Sequence, residues 1–321
     1  MNADIIRQIS EELNVKEKQV EITLQMLNEG NTVPFIARYR KEATGALNEE
    51  QIRKIEEFYL YQVNLLKRKE DVIRLIEEKG LLTDDLKRKI MESTKLVEVE
   101  DLYRPFKEKK KTKATDAINN GLEPLAKMIL SFPTKGDIVE LSSKFINDKV
   151  ANTEQAVTGA SYIIAEWISD NAFYRKWIRN FVYRNGIIVT KLKKDAKDDD
   201  KIYEMYYSYN EEVKKIKPHR ILAINRAENE KVITVNINVE DEKIIEFLES
   251  KIIKNNNSYV VEIVKNSIKD SYKRLIYPSI EREIRSDLTE LGEDSAIKNF
   301  GKNLESLLLT PPMKEKVVLA L

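Results

Sequence analysis

A mainly α protein is what these 321 residues specify: a multi-helix array with a helix-turn-helix-like N-terminal part and a small two-stranded ribbon. Two observations carry this. Apolar residues recur three and four positions apart along most of the chain, the period of a helix buried on one side. Only Ile187-Ile188-Val189 and the run from Val232 to Val239 change to β-branched residues, the second with an alternating half.

Each element follows from local signals. Ile5, Ile6, Ile9 and Leu13 line a first helix, with Asn2 as its N-cap. Val20, Leu24 and Leu27 line a second, which ends at Gly30, a C′ glycine. Pro34 suits the first turn of a short helix through Arg40. A long helix follows Asn48 and runs to Gly80, with Ile52, Ile55, Tyr59, Leu66, Ile73 and Ile76 along it. Thr83, backed by Asp84 and Asp85, opens another, and Phe106 to Lys113 reads as a loop. Helices resume around Gly121-Leu122-Glu123-Pro124. Thr153 begins a helical pair split near Asp170 and closed by Gly186. The two β-branched runs then pair as a ribbon, with a charged loop from Asp195 to Lys201 between them. From Asp241 to Leu309 the period is helical again, interrupted at Pro278. Pro311-Pro312 stops it, and Val317 to Leu321 reads as a buried strand without a partner, so the chain is expected to be truncated. The expected divisions are a helical region over 1–80, a scaffold over 81–310 with its ribbon at about 187–239, and an orphaned strand over 311–321.

Composition narrows the function. Charged residues make up 34% of the chain and nearly cancel to +1, so any nucleic-acid surface must be a local patch. There is no cysteine, which removes disulfides, thiolate nucleophiles and thiolate metal sites. No signal peptide is visible at the start and no apolar run approaches the ~20 residues of a membrane helix. A cytoplasmic protein without membrane association is expected. The nine glycines are too scattered for a P-loop or a dinucleotide fingerprint. The single histidine, His219, has no nucleophile or metal-ligand spacing around it. Asp195, Asp198, Asp199 and Asp200 alternate with Lys193, Lys194, Lys197 and Lys201, which favours a solvated loop over a metal site. No enzyme, cofactor or metal is expected.

Three longer segments point to a family. Thr32-Val33-Pro34-Phe35-Ile36-Ala37-Arg38-Tyr39-Arg40-Lys41-Glu42-Ala43-Thr44-Gly45 is the first. Glu100-Asp101-Leu102-Tyr103-Arg104-Pro105-Phe106-Lys107, then a basic run and Gly121-Leu122-Glu123-Pro124-Leu125-Ala126, is the second. The third is Pro278-Ser279-Ile280-Glu281-Arg282-Glu283-Ile284-Arg285-Ser286-Asp287-Leu288-Thr289. Together with Pro218-His219-Arg220 they resemble signatures of the bacterial Tex proteins, the transcription accessory family, in that family's order. The resemblance implies a continuation into an RNase H-like domain, tandem helix-hairpin-helix motifs and an OB-fold RNA-binding domain. Those are the segments to which the family's nucleic-acid binding is mainly attributed. Ala320 stands where the family usually has glycine.

Three basic surfaces are candidates for binding. Arg38, Arg40 and Lys41 follow the apolar start of the short helix, where the alternative is a packed hairpin with arginines paired to carboxylates. The loop from Arg104 to Lys113 carries Lys107, Lys109, Lys110, Lys111 and Lys113 against one acid, Glu108. From Phe173 to Lys194 there is no acid at all, while Arg175, Lys176, Arg179 and Arg184 supply positive charge. Helical spacing sets Phe173, Trp177, Ile178 and Phe181 against an opposite face of Arg175, Lys176 and Arg179, expected to be exposed and to tolerate charge reversal. The partners then expected are RNA or DNA, bound weakly and without sequence preference. The competing reading is a protein-interaction module that docks on the transcription or translation machinery.

Overall fold

The computed structural model describes residues 3–310. Asn2 and the expected strand over 311–321 lie outside the described residues. The chain divides into two compact units between Lys107 and Glu108.

The first unit contains α1 (Ala3–Leu13), α2 (Glu17–Asn28), α3 (Val33–Tyr39), the one-turn α4 (Lys41–Thr44), α5 (Glu49–Glu77), α6 (Asp84–Glu92) and α7 (Leu96–Tyr103). α5 begins with a reciprocal cap. The Asn48 side chain accepts from the Gln51 N–H at 2.8 Å, and the Gln51 side chain accepts from the Asn48 N–H at 3.0 Å. Its 29 residues span about 43 Å. That length lets one helix serve two cores. Ile52 and Ile55 pack with Ile5, Ile9, Val20 and Ile36. Leu65, Val72 and Ile76 pack with Ile90, Val99 and Tyr103. α2 ends as expected, with Gly30 at φ 87°, a conformation that only glycine adopts without strain.

The second unit contains α8 (Lys113–Asn119), α9 (Glu123–Leu130), α10 (Ile138–Ser143), α11 (Thr153–Ser169), α12 (Ala172–Asn185), β1 (Ile187–Leu192), β2 (Asn210–Glu212), α13 (Pro218–Asn229), β3 (Ile233–Asn238), α14 (Asp241–Ile252), α15 (Val261–Asp270) and α16 (Tyr277–Leu308). α8 starts where only a loop was expected. Thr112 caps it by accepting from the Thr115 N–H at 3.1 Å, and Ala114 and Ala117 are its only buried side chains. Ala114, Ala117 and Ile118 do stand at helical spacing, but one such set on seven residues is too short to tell a helix from a loop.

The expected ribbon forms, with Ile188 opposite Ile237 and Leu192 opposite Ile233 in antiparallel register. It is three-stranded rather than two-stranded, in the order β2-β1-β3. β2 is Asn-Glu-Glu and carries no apolar signal. It pairs because the outer edge of β1 needs backbone partners, and the Thr190 and Leu192 N–H groups extend that pairing to the Tyr209 and Tyr207 carbonyls at 2.9 Å each. Ile233, Val235 and Ile237 face inward and Thr234, Asn236 and Asn238 face solvent. The core joins that face to Ile163, Ile164 and Ile168 of α11, Ile178 and Val182 of α12, and Ile280 and Ile284 of α16.

Pro278 sits in the first turn of α16 and has no N–H to donate to the carbonyl four residues back. Just before it, Ser271–Ile276 widens into a π-helical turn, which carries α15 into α16 without a gap.

Candidate nucleic-acid interface

In the first unit Arg38, Arg40 and Lys41 are exposed, but their helix is not wholly core as its apolar start implied. Ile36 and Ala37 are buried, whereas Tyr39 is 70% exposed and lies tilted against the exposed Phe35 with ring centroids 5.3 Å apart. The Arg40 guanidinium lies 5.6 Å from the Phe35 ring. Lys107, also exposed, closes this unit.

The basic segment that begins the second unit is tethered by one of its own lysines. The Lys109 ammonium donates to Asp170 and lies 3.2 Å from Glu166 Oε1, at the C-terminal end of α11. Lys109 is therefore spent on internal charge. Lys110 and Lys111 remain exposed beside it. Lys113 places its ammonium 4.8 Å from the Tyr162 ring centroid.

α12 overturns the expected faces. Its inward positions are Arg175, Ile178 and Val182, at i, i+3 and i+7. Arg175 is completely buried, while Phe173 is 58% exposed. Arg175 Nη2 donates to Glu283 Oε1 at 2.6 Å and to Ser279 Oγ at 3.1 Å. Arg179 grips the other carboxylate oxygen with Nε at 3.0 Å and Nη2 at 2.8 Å. The acids missing from the stretch 173–194 are thus supplied by α16. Burial alone pushes the Glu283 carboxyl up, but the hydrogen bond and charge of Arg179, then the charge of Arg175, outweigh it and hold the carboxyl below its ordinary range. Only Lys176 and Arg184 of the proposed set on this helix are exposed. Trp177 stacks on Phe181 and on Phe247 of α14, with centroids 5.1 and 3.7 Å away. Stacked within the protein on both neighbours, its ring serves packing first.

Three other residues of the third signature also brace neighbouring elements. Glu281 Oε1 accepts from the Ile237 N–H of β3 at 2.7 Å. Arg285 donates to Glu228 of α13, and Asn225 of the same helix donates to Thr289 at 2.8 Å. Arg220 reaches Glu211 at 2.7 Å, and His219 stays exposed on the first turn of α13.

In the acidic loop, Asp198 accepts from the Ile202 and Tyr203 N–H groups at 2.9 and 2.8 Å and from the Tyr207 hydroxyl at 2.9 Å. It shapes the loop as a local turn. Desolvation works against its charge, but these three donors prevail and lower its pKa. Among the described residues no group of three or more His, Asp or Glu side chains is arranged to hold a metal ion, and no helix is long and apolar enough to cross a membrane.

A mainly α scaffold braced by Glu281, Glu283 and Arg285 of the third signature defines a class: a structural region with lysines and arginines on its surface. Residues 3–77 match the Tex-like protein N-terminal domain and residues 135–300 the Tex central region. The chain belongs to the Tex family. It is 51% identical to the uncharacterized protein YdcI of Bacillus subtilis (strain 168), over 98% of this chain and 44% of that protein. The transcriptional accessory protein Tex of Neisseria gonorrhoeae is 31% identical over 99% of this chain and 42% of its own length. S1 RNA-binding domain-containing protein 1 of Homo sapiens is 31% identical over 99% of this chain and 33% of its own length. The chain therefore spans less than half the length of these relatives.

Proposed function

We propose that this chain is the helical scaffold of a Tex-type transcription accessory protein, which organises RNA-binding segments of the longer polypeptide and adds non-specific phosphate contacts of its own. It catalyses no reaction in this reading. One observation carries it: several carboxylates of the second unit are taken up by internal cations, Glu283 by Arg175 and Arg179, Glu166 and Asp170 by Lys109, Glu228 by Arg285, while Lys110, Lys111, Lys113, Lys176 and Arg184 are exposed. Exposed cations of this kind recognise a phosphate backbone without reading sequence. The relative named for an S1 RNA-binding domain supports RNA as the polymer.

Fluorescence anisotropy with long single-stranded RNA and DNA, stepped in salt, tests the reading. Weak binding is expected, with a Kd on the order of 10⁻⁴–10⁻⁶ M at physiological salt and a steep loss as salt rises. Binding that ignores salt would refute it. A second reading, docking on a protein of the transcription or translation machinery, is favoured by the exposed Phe35–Tyr39 pair with Arg40 beside it and Arg38 exposed on the same helix. Aromatic and arginine side chains dominate the energetics of protein interfaces. Loss of partner capture in Tyr39→Ala, with RNA binding unchanged, would bring that reading forward.

A further inference from the structure

A cleft of about 600 Å³ opens between α8 and the N-terminal half of α11. α8 and the turn after it build one wall, through Lys113, Asp116, Asn120 and Leu122. Gly159 makes the cleft's floor possible. A β-carbon there would stand 2.3 Å from Leu122 Cδ1 and 3.3 Å from Ala117 Cβ, so only glycine lets α11 approach this closely. The far rim is fixed by Asn147, whose side chain donates to the Asn120 carbonyl at 3.1 Å and accepts from the Lys149 N–H at 2.9 Å. The Lys149 backbone is thereby fixed, and its side chain lines the cleft together with Lys113.

Tyr162 is the aromatic wall. Lys113 lies 4.8 Å and the Arg274 guanidinium 5.5 Å from its ring centroid. Arg274 is held there by Asp270, through Nε at 2.8 Å and Nη2 at 2.5 Å. Two exposed carboxylates, Asp116 and Glu154, share the lining with the two lysines. A cleft that offers both signs is poorly suited to a bare polyanion. It suits a unit that carries an anion and hydroxyl donors together. Cations take a phosphate, carboxylates accept from sugar hydroxyls or base amino groups, and an aromatic edge borders a base. Deoxyribose lacks the 2′-hydroxyl that would give Asp116 or Glu154 a donor.

We infer that this cleft binds a nucleotide of single-stranded RNA, with phosphate on Lys113 and Lys149, ribose hydroxyl on Asp116 or Glu154, and the base beside Tyr162. The inference rests on the RNA reading above and deepens it by naming the site and a preference for RNA over DNA.

The test uses the whole chain and fluorescein-labelled 12-mers of uridylate and deoxyuridylate, by anisotropy between 25 and 200 mM salt. Lys113→Glu/Lys149→Glu should weaken uridylate binding at least tenfold and reduce the salt slope by about 1.4, the share of two single-strand phosphates. Asp116→Asn/Glu154→Gln should bring the two polymers to equal affinity. Lys16→Glu, in the first unit, should change neither. Ultraviolet cross-linking of a 5-iodouridine 12-mer should mark the peptide that contains Tyr162. Circular dichroism melts would verify that the variants fold. If the unaltered chain shows no salt-sensitive binding, the RNA reading falls and the cleft with it. If it binds but the cleft variants bind equally well and the cross-link maps elsewhere, the RNA reading stands and the cleft assignment is overturned.

Discussion

Replacing Glu283 should do more damage than any other single loss of charge in the second unit. The carboxylate holds two guanidiniums, of which Arg175 is completely buried and Arg179 is 14% exposed. In Glu283→Ala, Arg175 keeps its charge in a fully buried position and loses the carboxylate it shares with Arg179. Removal of one partner of a buried pair costs about 3–5 kcal/mol. With a urea m-value of about 2.5 kcal/mol/M, a loss of 4 kcal/mol lowers the denaturation midpoint by about 1.6 M. Both tryptophans, Trp167 and Trp177, lie in the second unit, so their fluorescence follows that unit alone. Arg175→Met should be milder, about 1–2 kcal/mol, because an apolar chain replaces the buried charge while Arg179 and Ser279 still satisfy Glu283. Glutamate at 175 and 179 should prevent folding, contrary to the tolerance that an exposed face would allow. A midpoint shift below about 0.4 M in Glu283→Ala would refute the clamp as an energetic feature. The acid dependence has a definite sign. A carboxyl held below its ordinary value of 4.5 contributes stability that is complete above that value and is lost as the pH falls through it toward the lowered one.

Gly159→Ala should cost about 1–3 kcal/mol by overpacking against Leu122, read in the same urea titration. Asp198→Ala should leave the core intact but open the loop around Lys201 to trypsin at neutral pH, and amide hydrogen exchange should show the wild-type loop opening as the pH falls below the ordinary carboxylate value of 3.8. Nuclease and nucleotide-hydrolysis assays with magnesium or manganese should give background rates, unchanged in Asp198→Asn/Asp199→Asn/Asp200→Asn. Metal-dependent activity that this triple variant abolishes would make the loop a metal site.

Much of the helical order was legible because each helix carries its own signals. The Asn48 cap, the Gly30 terminus and the apolar spacing of α5 are local, and they appear in the structure where the sequence places them. The ribbon was legible for the same reason, since Ile233, Val235 and Ile237 alternate. β2 and α8 were not, because Asn-Glu-Glu has no apolar residue and α8 is only seven residues long, too short for its spacing to stand out. Of the candidate site, Lys110, Lys111, Lys113, Lys176, Arg184, Arg38, Arg40 and Lys41 are exposed as a surface site requires. Tyr162, Lys149 and Arg274 escaped notice, since a single tyrosine and two scattered cations mean nothing until α8, α11 and the π turn bring them together. Glu283 did leave a signal. Two arginines four residues apart in an acid-free helix imply that their acids come from elsewhere, and the third signature holds three candidates.

By itself the sequence determined the class of the protein, its family and most of its helix boundaries, because backbone propensity, capping and one-sided apolar spacing act over a few residues. Only the tertiary structure decided which charges are buried and which are exposed. Arg175 and Lys176 are chemical neighbours on one helix, yet one is sealed against Glu283 and the other faces water. That difference depends on α16, more than a hundred residues away in the chain, whose carboxylate compensates the buried charge. Helical periodicity records which side of a helix is apolar. It holds no record of an ion pair completed by a distant segment, and so the face richest in arginine was the one the fold turned inward.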